Sequence, residues 1–502
     1  MAKLKDLLLE GRRMAEHRPW PRVVAGADTW GRALAGLAGG DWNLLGLWGD
    51  GGAVHLALCD ESGSRLGVVT LECPHGRYPS VGLAHAPAIR LERALRDLHG
   101  MEPQGLPDTR PWLDHGRWGV HHPLATQPDA PPASAPYAFL TAEGPGLHQI
   151  PVGPVHAGII EPGHFRFTAG GETVVRLEAR LGYVHKGIEA LMAGASLEQA
   201  ARLAGRTSGD STVAYGLAFA RAVEAALGTS VPPRALWLRA LMAELERLAN
   251  HIGDIGAICN DAAFALMHAH CGALRERVLR ASAIAFGHRL MRDRIVPGGV
   301  AEDLAPPGAR ALRALADNLD ARIPALVELY DNTASLQGRT VTTGVLAPAL
   351  ARRYAAGGFI GRASGRRFDA RVGPGYAPYD ELDFEVPVLQ EGDVDARVWI
   401  RIREVEQSLA LLRQILDRLP DGPVAAGLDP GPGEGLALVE GFRGDVLAWL
   451  RLDSDGRVLR CHLRDASWFQ WPLLEAAIEG NIVADFPLCN KSFNCSYSGH
   501  DL

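Results

Sequence analysis

Residues 234–256 read RALWLRALMAELERLANHIGDIG, and this stretch decides how most of the chain folds. Apolar side chains recur in it at steps of three and four residues, the spacing of one face of an α-helix. These apolar positions are Leu241, Leu245, Leu248, Ile252 and Ile255. Charged side chains occupy a second face, where we expect a buried ion network that holds helices together, with a proton path as the alternative. The charged positions are Glu244, Arg247, His251 and Asp254. A long helix with two such faces is typical of a multi-helix bundle.

The segments on either side of this stretch add further helices and several strands. The spacing of apolar residues predicts helices over 88–99, 186–193, 197–227, 262–292, 308–333 and 396–419. Two apolar runs at 43–49 and 53–58, split by Asp50-Gly51-Gly52, predict a hairpin. More strands are predicted over 66–71, 163–168, 173–178, 436–440 and 446–452. The predicted fold class is therefore α+β, with a small N-terminal α+β domain followed by a mainly helical bundle with flanking strands.

A stretch rich in proline and alanine marks the clearest boundary in the chain. It covers residues 122–137, where the density of proline disfavours regular helix or sheet and favours an extended connector. We therefore predict an N-terminal domain over 1–121, a Pro/Ala-rich linker over 122–149 and a second domain over 150–502.

Length and charge exclude several classes of protein. The chain has 502 residues, 47% of them hydrophobic, and a formal net charge of −7. The charges are interspersed and form no basic stripe, which argues against binding nucleic acid. No uncharged apolar run is long enough for a transmembrane helix. The N-terminus has no apolar core of the length that a signal peptide needs. We expect a cytoplasmic protein that reaches a membrane only through partners.

Motifs of self-contained enzymes are missing from the sequence. No glycine-rich phosphate loop follows a strand, and neither G-x-S-x-G nor H-E-x-x-H occurs. The seven cysteines form no C-x-x-C pair, and the closest two, Cys489 and Cys495, fit no common metal spacing. From spacing alone, they are expected to be unpaired thiols without a ligand.

Several motifs, in order along most of the chain, resemble one family. Residues 91–117 are similar to the C subunit of complex I and its hydrogenase counterpart, and residues 154–192 to the opening of the complex I D subunit and of the hydrogenase-3 and hydrogenase-4 large subunits. Further similar stretches are 246–251 (ERLANH), 294–300 (RIVPGGV) and 361–365 (GRASG). The chain thus resembles the large subunit of a membrane-bound, energy-converting-hydrogenase-related complex, homologous to the fused C and D subunits of complex I.

This resemblance implies partners, cofactors and a location. It implies an iron–sulfur small subunit that is similar to the B subunit of complex I and carries a [4Fe–4S] cluster. It also implies antiporter-like membrane proteins and a membrane protein similar to the H subunit of complex I. The location implied is peripheral, on the inner face of the cell membrane, with a link to NAD- and quinone-dependent electron transport. No cofactor bound by this chain itself is expected, although quinone is a candidate ligand.

The sequence departs from the family at the nickel ligands. Relatives hold nickel and iron with two C-x-x-C pairs, because soft thiolates bind both metals. The positions that match the ligands here are occupied by Ala204, Thr207, Ser496 and Gly499. Cys495 lies one step out of register, and a single thiolate cannot build that centre. The sequence ends at His500-Asp501-Leu502, and we expect no tail of the kind that is trimmed after nickel insertion.

The same alignment suggests that residues 161–166, 202–212 and 489–500 surround a degenerate cavity. The resemblance places Glu161 where relatives have a proton-relaying carboxylate, with Arg362 or Arg206 as structural partners in the alternative interpretation. The other candidates for proton transfer or substrate contact are His164, Arg206 and Asp210. A dry cavity would raise the pKa of a carboxylate such as Glu161. Arg206 could hold an anionic substrate or neutralise Glu161.

The quinone-binding pattern of complex I is not retained at the matching positions. By position, the histidine falls near Pro162 and the tyrosine falls at Gly205. His164, Tyr215 or Tyr497 are possible substitutes.

Three functions remain open from the sequence. The first is a subunit that couples electron transfer from a partner iron–sulfur protein, with quinone as a candidate acceptor, to ion translocation without a nickel–iron centre. The second is a structural coupling subunit with no redox chemistry. The third is an NADH-quinone oxidoreductase C/D subunit or a nickel–iron hydrogenase.

Overall fold

The computed structural model describes residues 3–127, 130 and 136–502, and it confirms the α+β class. The strands are β1 (Arg12–Arg13), β2 (His17–Arg18), β3 (Arg22–Ala25), β4 (Asn43–Asp50), β5 (Ala53–Cys59), β6 (Leu66–Glu72), β7 (Arg77–Pro79), β8 (Glu102–Gln104), β9 (Leu147–Val152), β10 (His164–Gly170), β11 (Thr173–Arg180), β12 (Ile295–Val296), β13 (Gly299–Val300), β14 (Gly433–Gly441), β15 (Gly444–Leu452) and β16 (Val458–Arg464). The helices are α1 (Leu4–Leu7), α2 (Ala27–Gly39), α3 (Ile89–His99), α4 (Ile188–Met192), α5 (Leu197–Ala204), α6 (Thr212–Leu227), α7 (Pro233–Asp261), α8 (Ala265–Phe286), α9 (Pro306–Asp331), α10 (Ala334–Thr340), α11 (Pro348–Arg353), α12 (Gly358–Ala363), α13 (Val394–Arg418), α14 (Ser467–Ala477), α15 (Phe486–Phe493) and α16 (Tyr497–Asp501).

The N-terminal region is built around a five-stranded sheet with the order β1-β3-β6-β5-β4. The predicted hairpin is confirmed, because β4 and β5 pair antiparallel with Asp50 opposite Ala53. Gly51 and Gly52, which have positive φ angles, form its turn. The third predicted strand, β6, pairs with β5, and α3 forms where the sequence predicts a helix.

The N-terminal segment is tied to the C-terminal sheet. Strand β2 pairs parallel with β14, and the C-terminal sheet has the order β16-β15-β14-β2. Arg22 donates to the buried carboxylate of Glu434 at 2.5 Å, which joins β3 to β14. Apolar side chains from both regions share one core, in which Trp30 and Leu56 belong to the same cluster as Phe165 and Trp471. The two regions are therefore packed together.

The linker predicted over 122–149 is only partly described. Residues 128–129 and 131–135 lie outside the described residues. Strand β9 begins at Leu147, and it pairs with β10 in the sheet β11-β10-β9, so a strand crosses the boundary at residue 149. The limits of the domains stay a prediction.

The second half contains the predicted bundle, in which α7 packs against both α8 and α13. The apolar face of α7 is buried, including Leu241, Leu245 and Leu248, as its spacing predicts. The single helix predicted over 197–227 is wrong, because α5 and α6 are separated by a loop over 205–211. Glycine, serine and aspartate favour turns and caps in this loop.

The charged face of α7 forms a buried ion network, as expected. Arg247 lies 3.4 Å from Glu244 on the same helix. His251 Nε2 donates to Glu404 at 2.7 Å, and Glu404 also accepts from Arg362 at 2.7 Å. These contacts join α7, α12 and α13 in the interior of the bundle.

None of the helices in the described ranges combines the length and the apolar character that crossing a bilayer requires.

Candidate functional site

An open cleft of about 660 Å³, here named the loop cleft, lies where several loops meet the bundle. Its lining comes from the β9–β10 loop, the α5–α6 loop, helices α7 and α8, the β14–β15 turn and the chain around α15 and α16. The lining residues are 159–161, 208–210, Asn250, Gly253, Asp254, Ala257, Asn260, Asp261, His268, Gly272, Arg275, Arg443, Lys491 and 494–498. The segments that the sequence places around a degenerate cavity therefore do converge on one cleft.

The α5–α6 loop is held against the bundle by α7. Glu246 accepts hydrogen bonds from the backbone N–H groups of Val213 at 2.7 Å and Ala214 at 3.0 Å. These N–H groups belong to the first turn of α6 and have no partner within their own helix. Thr212 Oγ1 donates to the carbonyl of Gly205 at 2.7 Å, which closes the loop. Contacts within the protein alone therefore hold the loop at both ends.

An ion pair joins this loop to the C-terminal part of the chain. Arg443 donates to both oxygens of Asp210, at 2.8 and 2.5 Å, and through Nε to the carbonyl of Asn494 at 2.5 Å. Arg443 lies in the turn between β14 and β15 and packs on the ring of Phe442. Desolvation raises the pKa of Asp210, but the charge of Arg443 and the hydrogen bonds from Arg443 and Ser208 together outweigh it and lower this pKa to about 2. Asp210 is therefore ionised at neutral pH.

A second link joins the two segments in which the family resemblance places the positions that match nickel ligands. Ser208 Oγ lies 2.9 Å from Ser496 Oγ. Ser496 also accepts from the backbone N–H of Gly499 at 2.9 Å and so caps α16. Ala204 and Thr207 are fully buried, with no side-chain thiol at either position.

The donor set does not fit a nickel–iron centre, which needs several thiolates. Cys495 is the one thiol that lines the loop cleft, and burial raises its pKa. Across the described part of the chain, no three His, Cys, Asp or Glu side chains lie together in a way that could hold a metal ion.

A third cluster fills the wall between α7 and α15. Asp254 accepts two contacts from the amide of Asn494, at 3.0 and 2.9 Å. Lys491 and Arg401 each lie 3.4 Å from Asp254. Burial raises the pKa of Asp254, but these cations, Lys491 foremost, bring it below its ordinary value. Asp254 was expected in the ion network of the bundle, yet its contacts place it at the edge of the loop cleft.

Glu161 lines the loop cleft, but its surroundings differ from the expectation. Its side chain is exposed and accepts from the backbone N–H of Ser498 at 3.0 Å. The dry environment expected for Glu161 is wrong in this chain, and neither proposed arginine partner contacts it. Arg362 pairs with Glu404 inside the bundle, and Arg206 pairs elsewhere.

Arg206 and His164 do not line the loop cleft. Arg206 forms a two-pronged pair with Asp293, at 2.5 and 2.7 Å, so the expectation that it faces Glu161 is wrong. His164 lies next to the carbonyl of Gly153 at 3.3 Å and accepts from Arg166 at 3.3 Å. Both ring nitrogens of His164 therefore already have protein partners.

The two tyrosines named as possible quinone contacts differ in position. Tyr215 is fully buried and donates to Asp465 at 2.8 Å, away from the loop cleft. Tyr497 lines the cleft, with its hydroxyl 3.2 Å from His156 Nε2. Of these two tyrosines, only Tyr497 could contact a ligand in the loop cleft.

The sequence did not point to Arg443 or Arg275 as cleft residues, and it included Lys491 and Asn494 only as members of the segment 489–500. One feature of the sequence could have pointed to Arg443, namely its position as a charged residue inside the short glycine-flanked turn Gly441-Phe442-Arg443-Gly444. The others are ordinary polar positions on helices or helix ends, and only the packing of those helices brings them together.

The chain resembles several known proteins over most of its length. Residues 261–430 match the family described as respiratory-chain NADH dehydrogenase, 49 Kd subunit. The chain is 32% identical to formate hydrogenlyase subunit 5 of Escherichia coli (strain K12) over 89% of its length and 82% of that protein. It is 34% identical to the NADH-quinone oxidoreductase D 1 subunit of Roseiflexus sp. (strain RS-1), over 67% of this chain and 94% of that one.

A solved structure shows the same architecture. It belongs to the membrane-bound sulfane sulfur reductase, described as an archaeal respiratory membrane complex. The match has a TM-score of 0.67 and 28% identity, and it covers 71% of this chain and 99% of that one. Fold and site thus define a subunit of the class found in membrane-bound respiratory complexes. More specifically, the chain belongs to the family of the complex I 49-kDa subunit and the large subunits of membrane-bound hydrogenases.

Proposed function

We propose that this chain is the large subunit of a membrane-bound, complex I-like oxidoreductase that works without a nickel–iron centre. In this proposal electrons pass from a partner iron–sulfur protein to a ligand in the loop cleft, and the complex couples this transfer to ion translocation. Quinone is one candidate acceptor. The sulfane sulfur named for the structural relative suggests a second candidate.

One observation carries the proposal, namely that protein groups alone join the two loops that hold the metal in relatives. Arg443 links Asp210 to the carbonyl of Asn494, and Ser208 contacts Ser496. A guanidinium fixed at two carboxylate oxygens and one carbonyl gives a directional cross-link. It supports a cleft that is formed without metal and remains open to a ligand.

A partner is needed for any electron transfer, since this chain offers no thiolate set for a cluster of its own. The relatives are named as subunits or components, which supports such a partner. We propose that an iron–sulfur small subunit lies beside the loop cleft. Antiporter-like proteins and a counterpart of the complex I H subunit would lie below it, with this chain on the inner face of the membrane.

A structural coupling subunit is the second candidate function. The close pair between Arg443 and Asp210 favours it, because each group satisfies the charge of the other and leaves neither free for chemistry. In that case the loops transmit force between partners, and the loop cleft holds no substrate. Asp210 variants that retain full turnover would favour this candidate.

Elemental analysis of the purified native complex tests the proposal directly. We expect nickel below about 0.1 atom per chain, because a single buried thiol cannot supply the thiolates such a site requires. We expect iron only in the amount that partner clusters explain. Stoichiometric nickel would contradict the proposal and would mean that other donors form the centre. A metal-bearing relative purified in parallel serves as the control for metal loss.

A further inference from the structure

The cations that line the loop cleft are not equally neutralised. Arg443 is paired with Asp210, and Lys491 lies 3.4 Å from Asp254. Arg275 has no carboxylate within 4.0 Å among the residues that the structure describes. The other two arginines of α8 do have partners, since Arg277 donates to the side chain of Asn318 and Arg280 to that of Glu276. Among the residues that the structure describes, Arg275 is therefore the arginine of α8 without a side-chain partner.

The position of Arg275 is set by a glycine on the neighbouring helix. A Cβ atom at Gly253 would lie 2.7 Å from Cδ and 3.1 Å from Nε of Arg275. The Cδ–Nε part of Arg275 thus packs directly over Gly253, where a side chain on α7 would displace it. Arg275 borders both the loop cleft and a smaller adjoining cavity. The absence of a side chain at Gly253 therefore lets the arginine lie against α7 at the edge of the cleft.

Small residues leave room beside this guanidinium. On α8, His268, Gly272 and Arg275 follow at steps of four and three, and all three line the loop cleft. A Cβ atom at Gly272 would meet nothing within 4 Å. The space between Arg275 and the far end of this face is therefore open to a ligand.

The carboxylates of the loop cleft do not neutralise the charge of Arg275. Asp210 and Asp254 are each held by other cations. Asp261 is eight residues beyond Gly253 on α7, about 12 Å along the helix at 1.5 Å per residue. Glu161 comes from the loop that forms another part of the lining and accepts from the backbone. Among the described residues Arg275 is thus a cation without a carboxylate partner, and open space lies beside it.

We infer that Arg275, which packs over Gly253 at the edge of the loop cleft, anchors an anionic group of the ligand that occupies this cleft. A guanidinium with free parallel N–H donors binds carboxylates and sulfur or phosphorus oxyanions through two hydrogen bonds. This inference rests on the proposed function, since it names the class of acceptor that the same cleft takes. It favours a small anion or an acceptor with an anionic group over a neutral quinone.

Equilibrium binding to the purified intact complex tests the inference without requiring turnover. The probes are thiosulfate, a dianion with a sulfane sulfur; succinate, a dicarboxylate; and decylubiquinone, a neutral quinone, each measured by calorimetry at low ionic strength. We expect at least one anion to bind and Arg275→Gln to weaken it by about tenfold to a hundredfold, the effect of losing a charge-assisted hydrogen bond. Preference for thiosulfate or for succinate would identify the kind of anion.

Two further variants separate charge from position. Arg275→Lys keeps the charge but loses the paired donors, so we expect an intermediate loss. Gly253→Ala keeps the arginine and favours the helix, yet displaces the guanidinium, so we expect weaker binding without loss of folding. Arg280→Gln is the matched control, because Arg280 lies on the same helix with its side chain 77% exposed.

Several results would overturn the inference. It fails if no anion binds, if only the quinone binds, or if Arg280→Gln weakens binding as much as Arg275→Gln. It also fails if Arg275→Gln and Arg275→Lys both release a partner protein, since Arg275 would then be an interface residue. Turnover is scored separately. Anion binding in a complex without electron transfer would count against the proposed function alone, and turnover without anion binding would count against this inference alone.

Discussion

Two clusters of arginine and carboxylate side chains lie in the same chain but in different surroundings. In the bundle cluster, Arg362 bridges Glu404 and Glu440, and their side chains are at most 1% exposed. In the loop cleft, Arg443 holds Asp210, whose side chain is 36% exposed, beside Lys491 at 24%. Both clusters contain the same types of charged group, but these groups differ in their exposure to water.

This difference indicates separate roles. The bundle cluster joins α12, α13 and β14, and none of its three residues Arg362, Glu404 and Glu440 belongs to the lining of the loop cleft. Groups of this kind cannot exchange partners without uncovering a buried charge. The groups of the loop cleft keep part of their surface in contact with solvent, so a ligand can replace water there. We therefore assign stability to the first cluster and ligand binding to the second.

The largest effect is expected in the bundle cluster. Arg362→Ala leaves Glu404 and Glu440 buried with one fewer cation, and we expect a loss of about 3–5 kcal/mol in the free energy of unfolding. Urea denaturation of the purified protein, followed by tryptophan fluorescence, measures this loss. Arg403→Ala is the control, because Arg403 lies on α13 with its side chain 57% exposed. A loss no larger than that of the control would remove the distinction between the two clusters.

A smaller effect is expected at Asp210. Asp210→Asn leaves Arg443 without its counterion, and we expect a loss of about 1–2 kcal/mol at neutral pH, because the Asp210 side chain is 36% exposed and water screens part of the attraction. The pKa of Asp210 is lowered to about 2 in the folded chain. Its contribution is therefore full above the unfolded pKa of about 3.9 and is lost as pH falls toward 2. The difference in melting temperature between wild type and variant should shrink as pH is lowered from about 5 to about 2.5.

The same variant also tests whether the loop cleft takes part in electron transfer. If the loop cleft holds the acceptor, Asp210→Asn should also reduce electron-transfer turnover of the assembled complex, because the loops lose one of their links. A melting-temperature difference that is unchanged at acid pH would contradict the assignment of Asp210 as the ionised partner. Unchanged turnover with intact assembly would instead favour the structural coupling role.

The smallest effect is expected at Arg206. Its pair with Asp293 is 40% and 35% exposed and lies outside the loop cleft. Exposed pairs of this kind contribute little, so Arg206→Ala should cost less than about 1 kcal/mol and leave turnover within about twofold of wild type. Thermal unfolding and the turnover of the assembled complex check both numbers. A large loss of turnover would mean that Arg206 does belong to the functional site and that a partner protein repositions it there.

Much of the fold could be predicted from local patterns. The 3.6-residue period of α7 and the turn between β4 and β5 depend on neighbours in sequence, and both are confirmed. The loop between α5 and α6 also had a local signal, the glycine, serine and aspartate residues over 205–211, which the prediction of a single helix passed over. How this loop is held could not be predicted locally, because Glu246 comes from another helix.

Only part of the site could be predicted from the sequence. The resemblance to a family placed three segments around one cavity, and they do line the loop cleft. It also suggested Glu161 and Asp210, both of which line it, and Arg206 and His164, which do not. Whether the first two take part in catalysis stays a prediction. The ligand set of relatives offered no guide to Arg443 or Arg275, since neither stands at a matching position.

The α+β class and the long helices follow from the sequence alone, because local spacing and residue type specify them, whereas the positions that match nickel ligands came from the family resemblance. Which charges meet depends on the tertiary structure. Arg443 lies 233 residues from Asp210 in the sequence, and Arg275 packs over a glycine of a neighbouring helix. Coulomb attraction and steric fit act over a few ångströms of space, so the partner of a charged residue is set by packing and not by its position along the chain.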